Sequence, residues 1–217
     1  MTHHQVIEET ISYVKETLAE AEGGHDWWHI YRVWKTARQI ASTENADPFI
    51  VELGALLHDI ADSKFHQGDE TVGPRKARAF LSGLQVDEEV ILHIENIITH
   101  ISFKGGNHEQ AFKSKELDII QDADRLDALG AIGIARTFNY GGFKNRKLYD
   151  PAIPPNLHKT KAEYQQSTDP TLNHFYEKLF LLKDRMNTAM GKRLAEERHR
   201  FMEGYVEQFY REWEGER

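Results

Sequence analysis

Apolar residues recur every three to four positions along most of this 217-residue chain, which is the period of an amphipathic α-helix. Stretches in which apolar and polar residues alternate, as in a half-buried strand, are too short to predict a sheet. The chain is therefore predicted to be all-α. Its length suits one domain with a substantial core, spanning 1–217.

Eight helices are predicted from this period, and three of them have a recognisable start. Asp26 can cap the second helix, Pro48 suits the first turn of the third, and Asp87 precedes the fifth. The predicted helices cover about 6–18, 27–40, 48–62, 71–83, 88–101, 115–138, 172–187 and 189–213. The last two are amphipathic, so we expect them to pack onto the first six.

Residues 139–170 break the helical pattern with several glycine and proline residues and few periodic apolar positions. A loop of this length in a compact domain is either functional or disordered. It is therefore a candidate lid or substrate-selecting segment. Its aromatic and basic side chains could meet a base and phosphates: Tyr140, Phe143, Lys144, Arg146, Lys147 and Tyr149.

The composition limits the kinds of site that the chain can build. The absence of cysteine excludes disulfides, thiolate nucleophiles and cysteine-based metal sites, whereas twelve histidines are available as nitrogen ligands. A net charge of −8 argues against a broad surface for a nucleic-acid duplex, but it allows a local basic pocket for a phosphate.

Targeting and membrane signals are not apparent in the sequence. The N-terminal segment is acidic and amphipathic and has no apolar core of a signal peptide, and the apolar stretches elsewhere are broken by charge. The sequence therefore predicts a cytoplasmic protein that does not associate with a membrane.

Polar residues interrupt two apolar helices in a pattern that suits a metal. On the predicted third helix, His58 and Asp62 are four residues apart and share a face, and Asp59 flanks them. His29 precedes His58 by one helix, a turn and a second helix. An antiparallel helix pair would thus bring His29 to His58 and Asp59, with His25 as an alternative ligand.

A third segment, QDADRLDALG, places three aspartates in an otherwise apolar helix. Asp124 and Asp127 are three residues apart and share a face, whereas Asp122 points away. Buried carboxylates need a cation or a hydrogen-bond donor, and a neighbouring arginine could equally supply it.

Two imidazoles and two carboxylates make a mixed nitrogen and oxygen ligand set. Such a set suits Mn²⁺, Fe²⁺, Co²⁺, Ni²⁺ or Zn²⁺ better than Mg²⁺. Four protein ligands on an octahedral ion leave positions for water and a substrate oxygen. The members of this set are His29, His58, Asp59 and Asp124.

In this order, the four residues match the H…HD…D signature, and the chain resembles the HD superfamily of metal-dependent phosphohydrolases. It looks most like small, single-domain bacterial members. Four segments carry the resemblance, which covers about 4–140: HDWWHIYRV, GALLHDIADSKFH, IITHISFKGG and QDADRLDALGAIGIARTF. The resemblance implies a helical bundle of the HD type and one divalent metal, with Mn²⁺ preferred. Asp122 and Asp127 are alternatives for the last ligand.

The resemblance also implies an activity, the hydrolysis of (deoxy)nucleoside triphosphates to monophosphate and pyrophosphate. Alternatives are a nucleoside 5′-monophosphatase, a phosphodiesterase, a non-catalytic nucleotide sensor and an iron-dependent oxygenase. Asp62 matches a general acid or base of some HD nucleotidases, and Asp127 would orient water or substrate. Candidate partners of the phosphates are Arg32, Lys64, His100, Lys104, Arg125 and Arg136.

The sequence leaves open the number of metal ions and the oligomeric state. His93 and His100 are seven residues apart on one predicted helix and could hold a second metal, and His66 could also approach the site. We expect one metal, because the spacing does not show that both histidines reach it. The apolar stripe of the closing helices is predicted to be core, although a homodimer is compatible with it.

Overall fold

The computed structural model describes 1–20, 26–61, 69–101, 112–158, 160, 163 and 166–216. These residues form helices and turns and contain no strand, which confirms the all-α prediction for this part of the chain. The helices are α1 (His3–Thr17), α2 (Trp27–Ala41), α3 (Pro48–Leu57), α4 (Val72–Gly83), α5 (Glu88–His100), α6 (Lys115–Asp127), α7 (Gly130–Phe143), α8 (Asn173–Glu177) and α9 (Ala189–Trp213).

Side chains at the start of two helices fix where they begin, and two of them, Asp26 and Pro48, are the ones that the sequence predicted. The Asp26 carboxylate accepts a hydrogen bond from the His29 N–H at 3.0 Å and so caps α2. At the start of α3, Asp47 accepts from the Phe49 N–H at 2.8 Å, and Pro48 occupies the first turn. Both caps place the first residues of helices that carry site histidines.

The chain divides into two compact units, Met1–Asp124 and Arg125–Arg217. In the first unit, α3 is the central helix, because it packs against α1, α2 and α5. Its length is almost entirely buried. Gly54 allows a close approach here, since a Cβ at this position would lie 2.5 Å from Cδ1 of Ile120.

The second unit is built around the packing of α7 against α9. The buried ring of Phe175 is 6.0 Å from those of both Phe138 and Tyr205, which gives this unit an aromatic core. The prediction that 1–217 form one domain, with the closing helices packed onto the first six, stays a prediction.

The predicted helix 115–138 is wrong, because it is two helices. α6 ends at Asp127, Leu129 is extended, and α7 begins at Gly130. Gly130 has a φ of +71°, a conformation that favours glycine, and a Cβ there would lie 3.1 Å from Cγ of Arg198. Since α7 continues to Phe143, the predicted loop 139–170 also begins too early.

Two other predicted helices are too long. The third was predicted to reach residue 62 but ends at Leu57, with His58 as its C-cap. The range 172–187 consists of α8 and two short 3₁₀ turns, Leu179–Leu181 and Lys183–Arg185. The backbone of Lys178, at φ −142° and ψ −54°, leaves the helical conformation and ends α8. In the part of the chain that the structure describes, no helix has the length and apolarity needed to cross a bilayer.

Candidate metal centre

Two buried histidines and an aspartate converge in the first unit. His29 lies in the first turn of α2 and His58 caps the end of α3, so the packing of these two helices brings them together. One potential ligand atom from each of His29, His58 and Asp59 lies within 4.8 Å of the others. His29 is 3% exposed and His58 is 6% exposed, and the centroids of their imidazole rings are 5.4 Å apart.

Asp124 reaches the same two imidazoles from α6. Its Oδ1 atom is 3.5 Å from Nε2 of His29 and 3.9 Å from Nε2 of His58. These separations are longer than those of good hydrogen bonds. Ligands that bind one ion at about 2.0–2.2 Å lie about 3–4 Å from one another. The spacing therefore fits three ligands of a shared cation better than a direct hydrogen bond.

The ring of His58 is held in one tautomer by its own helix. Its Nδ1 lies 2.9 Å from the carbonyl oxygen of Ala55, and because a carbonyl only accepts, Nδ1 carries the hydrogen. In the neutral ring, Nε2 then has the lone pair. This atom is buried and has no hydrogen-bond partner among the described residues. A histidine whose second nitrogen donates to a backbone carbonyl is the usual arrangement of a metal ligand, so these residues fit a divalent ion.

The structure distinguishes the three aspartates of the segment QDADRLDALG. The carboxylate of Asp124 lies near the imidazoles of both His29 and His58, and the Asp124 side chain is 41% exposed. Asp122 is fully buried, and two residues along a helix place it on a different face. Asp127 belongs to the second unit. Of the alternatives for the last ligand, Asp124 thus has the observed contacts.

Comparison with known proteins places this arrangement in a family. The HD domain family model matches 27–129, a range that contains all four residues of the proposed ligand set. The chain is 38% identical over 211 residues to the uncharacterized protein YpgQ of Bacillus subtilis, and the match covers 96% of this chain and 94% of YpgQ. The chain belongs to the HD superfamily. It is therefore a metal-dependent hydrolase, as the sequence predicted.

Solved structures of HD-superfamily relatives agree over nearly the whole chain. A Bacillus thuringiensis HD-superfamily hydrolase is 47% identical, covers 98% of this chain and 99% of its own, and has a TM-score of 0.80. In the comparison of structures, Bacillus subtilis YpgQ in complex with ADP is 34% identical, the match covers 98% of this chain and 97% of YpgQ, and the TM-score is 0.77. The likeness thus extends beyond the range of the HD domain model.

A second HD dipeptide, His25-Asp26, precedes the HD domain. Asp26 has a structural role as the cap of α2, and His25 lies outside the described residues. Four other predicted residues also lie outside the described residues, and their predicted roles stay predictions: Asp62, Lys64, His66 and Lys104.

The other predicted residues of the first unit have local partners. Nδ1 of His100 donates to the Asn96 carbonyl at 2.8 Å. Nε2 of His93 lies 3.0 Å from Oγ of Ser114. Neither histidine joins the cluster around His29, and the described residues contain no second group of potential ligands. Arg32 is half-buried on α2, one turn after His29.

In the second unit, the predicted substrate residues bind one another or the backbone. Arg136 donates to the buried carboxylate of Asp127, and Arg125 donates to the carbonyl of Arg185 at 2.6 Å. Arg198, which no motif indicated, donates to the carbonyl of Leu126 at 2.5 Å. Burial lowers the pKa of Arg198, and the negative charge of Asp127 opposes that shift. An arginine within the apolar stripe of α9 was the available sequence signal.

Several of the predicted lid residues make contacts within the second unit. Lys144 lies over the exposed rings of Tyr140 and Phe143, at 5.6 and 5.1 Å from their centroids. Tyr149 packs edge-on against Trp213 of α9 at 5.1 Å, and Lys147 pairs with Asp150 at 2.8 Å. Their predicted role in substrate selection stays a prediction.

Proposed function

We propose that this HD-superfamily hydrolase cleaves (deoxy)nucleoside triphosphates to the monophosphate and pyrophosphate. One Mn²⁺ ion would be held by His29, His58, Asp59 and Asp124. The observation that carries the proposal is the position of the Asp124 carboxylate opposite two imidazole Nε2 atoms at 3.5 and 3.9 Å. The ADP bound to the related YpgQ supports a nucleotide as the ligand.

The mixed ligand set supports the choice of metal. Two imidazoles and two carboxylates suit Mn²⁺ and its transition-metal neighbours, whereas Mg²⁺ prefers oxygen ligands and retains several waters. When bound, a divalent ion at this centre polarises a phosphoryl oxygen and lowers the pKa of a water.

The residues of the chain supply the positioning. The Ala55 carbonyl holds the His58 ring with its lone pair toward Asp124, and the Asp26 cap fixes the turn of α2 that carries His29. The half-exposed side chain of Asp124 marks the side from which a substrate can approach. Asp62 would accept the proton of the attacking water.

The negative charge of the triphosphate needs neutralisation beyond the metal. Arg32 is suited to this role, because it lies on α2 one turn from His29. Lys64, His100 and Lys104 are the other proposed partners of the phosphates, chosen for their charge and their positions in the chain. Asp127 would orient water or substrate, and Arg125 and Arg136 are further candidates for the phosphates, although each of the three has a partner within the second unit.

Product analysis tests this proposal. Purified protein with added Mn²⁺ is incubated with a panel of NTPs and dNTPs, and pyrophosphate and orthophosphate are measured separately. We expect pyrophosphate and monophosphate from the wild type and from His93→Gln, a histidine outside the cluster, but neither from Asp124→Asn. Orthophosphate as the first product, or no turnover by metal-loaded protein, would contradict the proposal. Nucleoside monophosphates and phosphodiesters in the same panel separate the two alternative hydrolases.

A further inference from the structure

An exposed tryptophan lies directly before the first proposed ligand. Trp28 is 61% exposed, whereas the next residue, His29, is buried. Tryptophan side chains are buried on average, so a largely exposed indole beside a metal centre indicates a surface that a ligand can cover.

Of the residues that the structure describes, lysine side chains cover the other large aromatic rings of α2 but not the ring of Trp28. Lys15 lies 4.9 Å over the ring of Trp27, and Lys35 lies over the rings of both Tyr31 and Trp34, at 5.9 and 5.6 Å. Among the described residues, no cation lies over the ring of Trp28. Tyr31 packs against it in a T-shaped arrangement, with centroids 5.8 Å apart, and so supports it from one side.

Helix geometry sets the reach of this indole relative to the metal centre. Consecutive residues of a helix project about 100° apart, and a helix with its side chains is about 10–12 Å across. The tips of the Trp28 and His29 side chains therefore lie about 9 Å apart. Arg32 follows Trp28 by four residues and His29 by three, and it therefore projects between them. Along the surface of α2, an indole, a guanidinium and a metal ligand are neighbours, so one ligand that carries a base and phosphates can contact all three.

We propose that Trp28 stacks on the nucleobase of the substrate and forms the base subsite of the enzyme. This inference rests on the proposed nucleotide hydrolase activity. Stacking on an aromatic face tolerates every base, because each base presents a π-surface. The enzyme therefore accepts purine and pyrimidine nucleotides, with purines bound more tightly through their larger overlap.

Calorimetric binding to Mn²⁺-loaded protein tests the subsite, with ADP and inorganic pyrophosphate as probes. Trp28→Ala is expected to weaken ADP binding about tenfold, because it removes one stacked base, and to leave pyrophosphate binding unchanged. Trp28→Phe is expected to recover most of the ADP affinity while the quenching of tryptophan fluorescence by ADP is lost. Trp213→Ala, which removes another half-exposed tryptophan at 47%, is the control and should bind both probes as the wild type does.

The outcomes separate this inference from the proposed activity. Wild-type affinity for ADP in Trp28→Ala, or an equal loss of ADP and pyrophosphate binding, would overturn the base subsite while nucleotide turnover by the wild type stands. If the wild type neither binds ADP nor cleaves any nucleotide, the proposed function fails and the base subsite fails with it.

Discussion

Oδ1 of Asp124 lies 3.5 Å from Nε2 of His29, although the two residues are far apart in the chain. The carboxylate comes from α6 and the imidazole from the first turn of α2. Their separation exceeds that of a good hydrogen bond and matches two ligands of one ion. A bound metal would therefore link two helices, and its loss should be visible in stability as well as in activity.

Mn²⁺ should stabilise the wild type, because an ion that binds only the folded state adds its binding free energy to folding. At an ion concentration one hundred times the Kd, the gain is about 2.7 kcal/mol. Thermal unfolding with and without Mn²⁺ measures it. Asp124→Asn should lose most of the gain, and Asp118→Asn, which changes another carboxylate of α6, should keep it. An equal gain in Asp124→Asn would show that the ion binds elsewhere.

The break between α6 and α7 depends on a glycine. We expect Gly130→Ala to lower the free energy of unfolding by about 1–2 kcal/mol, because its φ of +71° is unfavourable for an L-residue and its Cβ would approach Arg198. Urea denaturation measures the change. The control is Gly204→Ala within α9, where a Cβ meets nothing within 4 Å; it should be neutral or stabilise the fold by up to about 1 kcal/mol. Equal effects of the two changes would contradict the role of Gly130.

The buried carboxylate of Asp127 depends on Arg136. Removal of the guanidinium by Arg136→Leu leaves a charge that is 4% exposed, with Arg198 as the remaining nearby cation, and should cost about 2–4 kcal/mol of unfolding free energy. The double variant Asp127→Asn/Arg136→Leu should cost less than Arg136→Leu alone, because the uncompensated charge is gone. Chemical denaturation of both variants decides this, and additive losses would argue against a direct pair.

How far the sequence predicted the structure depended on the kind of interaction. Asp26 and Pro48 mark helix starts correctly, because capping and the first-turn preference of proline are local. The break at Gly130 was missed, since periodicity continues across it and a glycine is compatible with either conformation until its φ and the neighbouring Arg198 are known.

The candidate site shows the same division. The spacing of His29 and His58 correctly indicated that α2 and α3 bring the two residues together. The tautomer of His58 could not be predicted, because the partner is the backbone carbonyl of Ala55, which has no residue-type signal. A neighbouring arginine was one of the partners that the sequence left open for the three aspartates, and only side-chain positions show that Arg136 pairs with Asp127.

The second unit should lose stability at alkaline pH through Tyr210. Burial, together with a hydrogen bond to Tyr176, raises the pKa of the Tyr210 phenol above its ordinary value of about 10. A group whose pKa is raised by folding contributes its stability below the unfolded pKa and loses it as the pH rises further, so the loss begins near pH 10. Unfolding free energies between pH 8 and about 11 should fall less in Tyr210→Phe than in the wild type. The exposed Tyr140→Phe should follow the wild type, and an identical profile for all three proteins would contradict this prediction.

The most direct test of the metal centre is the amount of Mn²⁺ that each protein retains after equilibrium dialysis, measured by elemental analysis. We predict about one ion per chain in the wild type and in His93→Gln, and little or none in His29→Ala, His58→Ala or Asp124→Asn, each of which should remain helical by circular dichroism. Retention of about one ion with wild-type affinity by folded His58→Ala and Asp124→Asn would contradict the proposed centre.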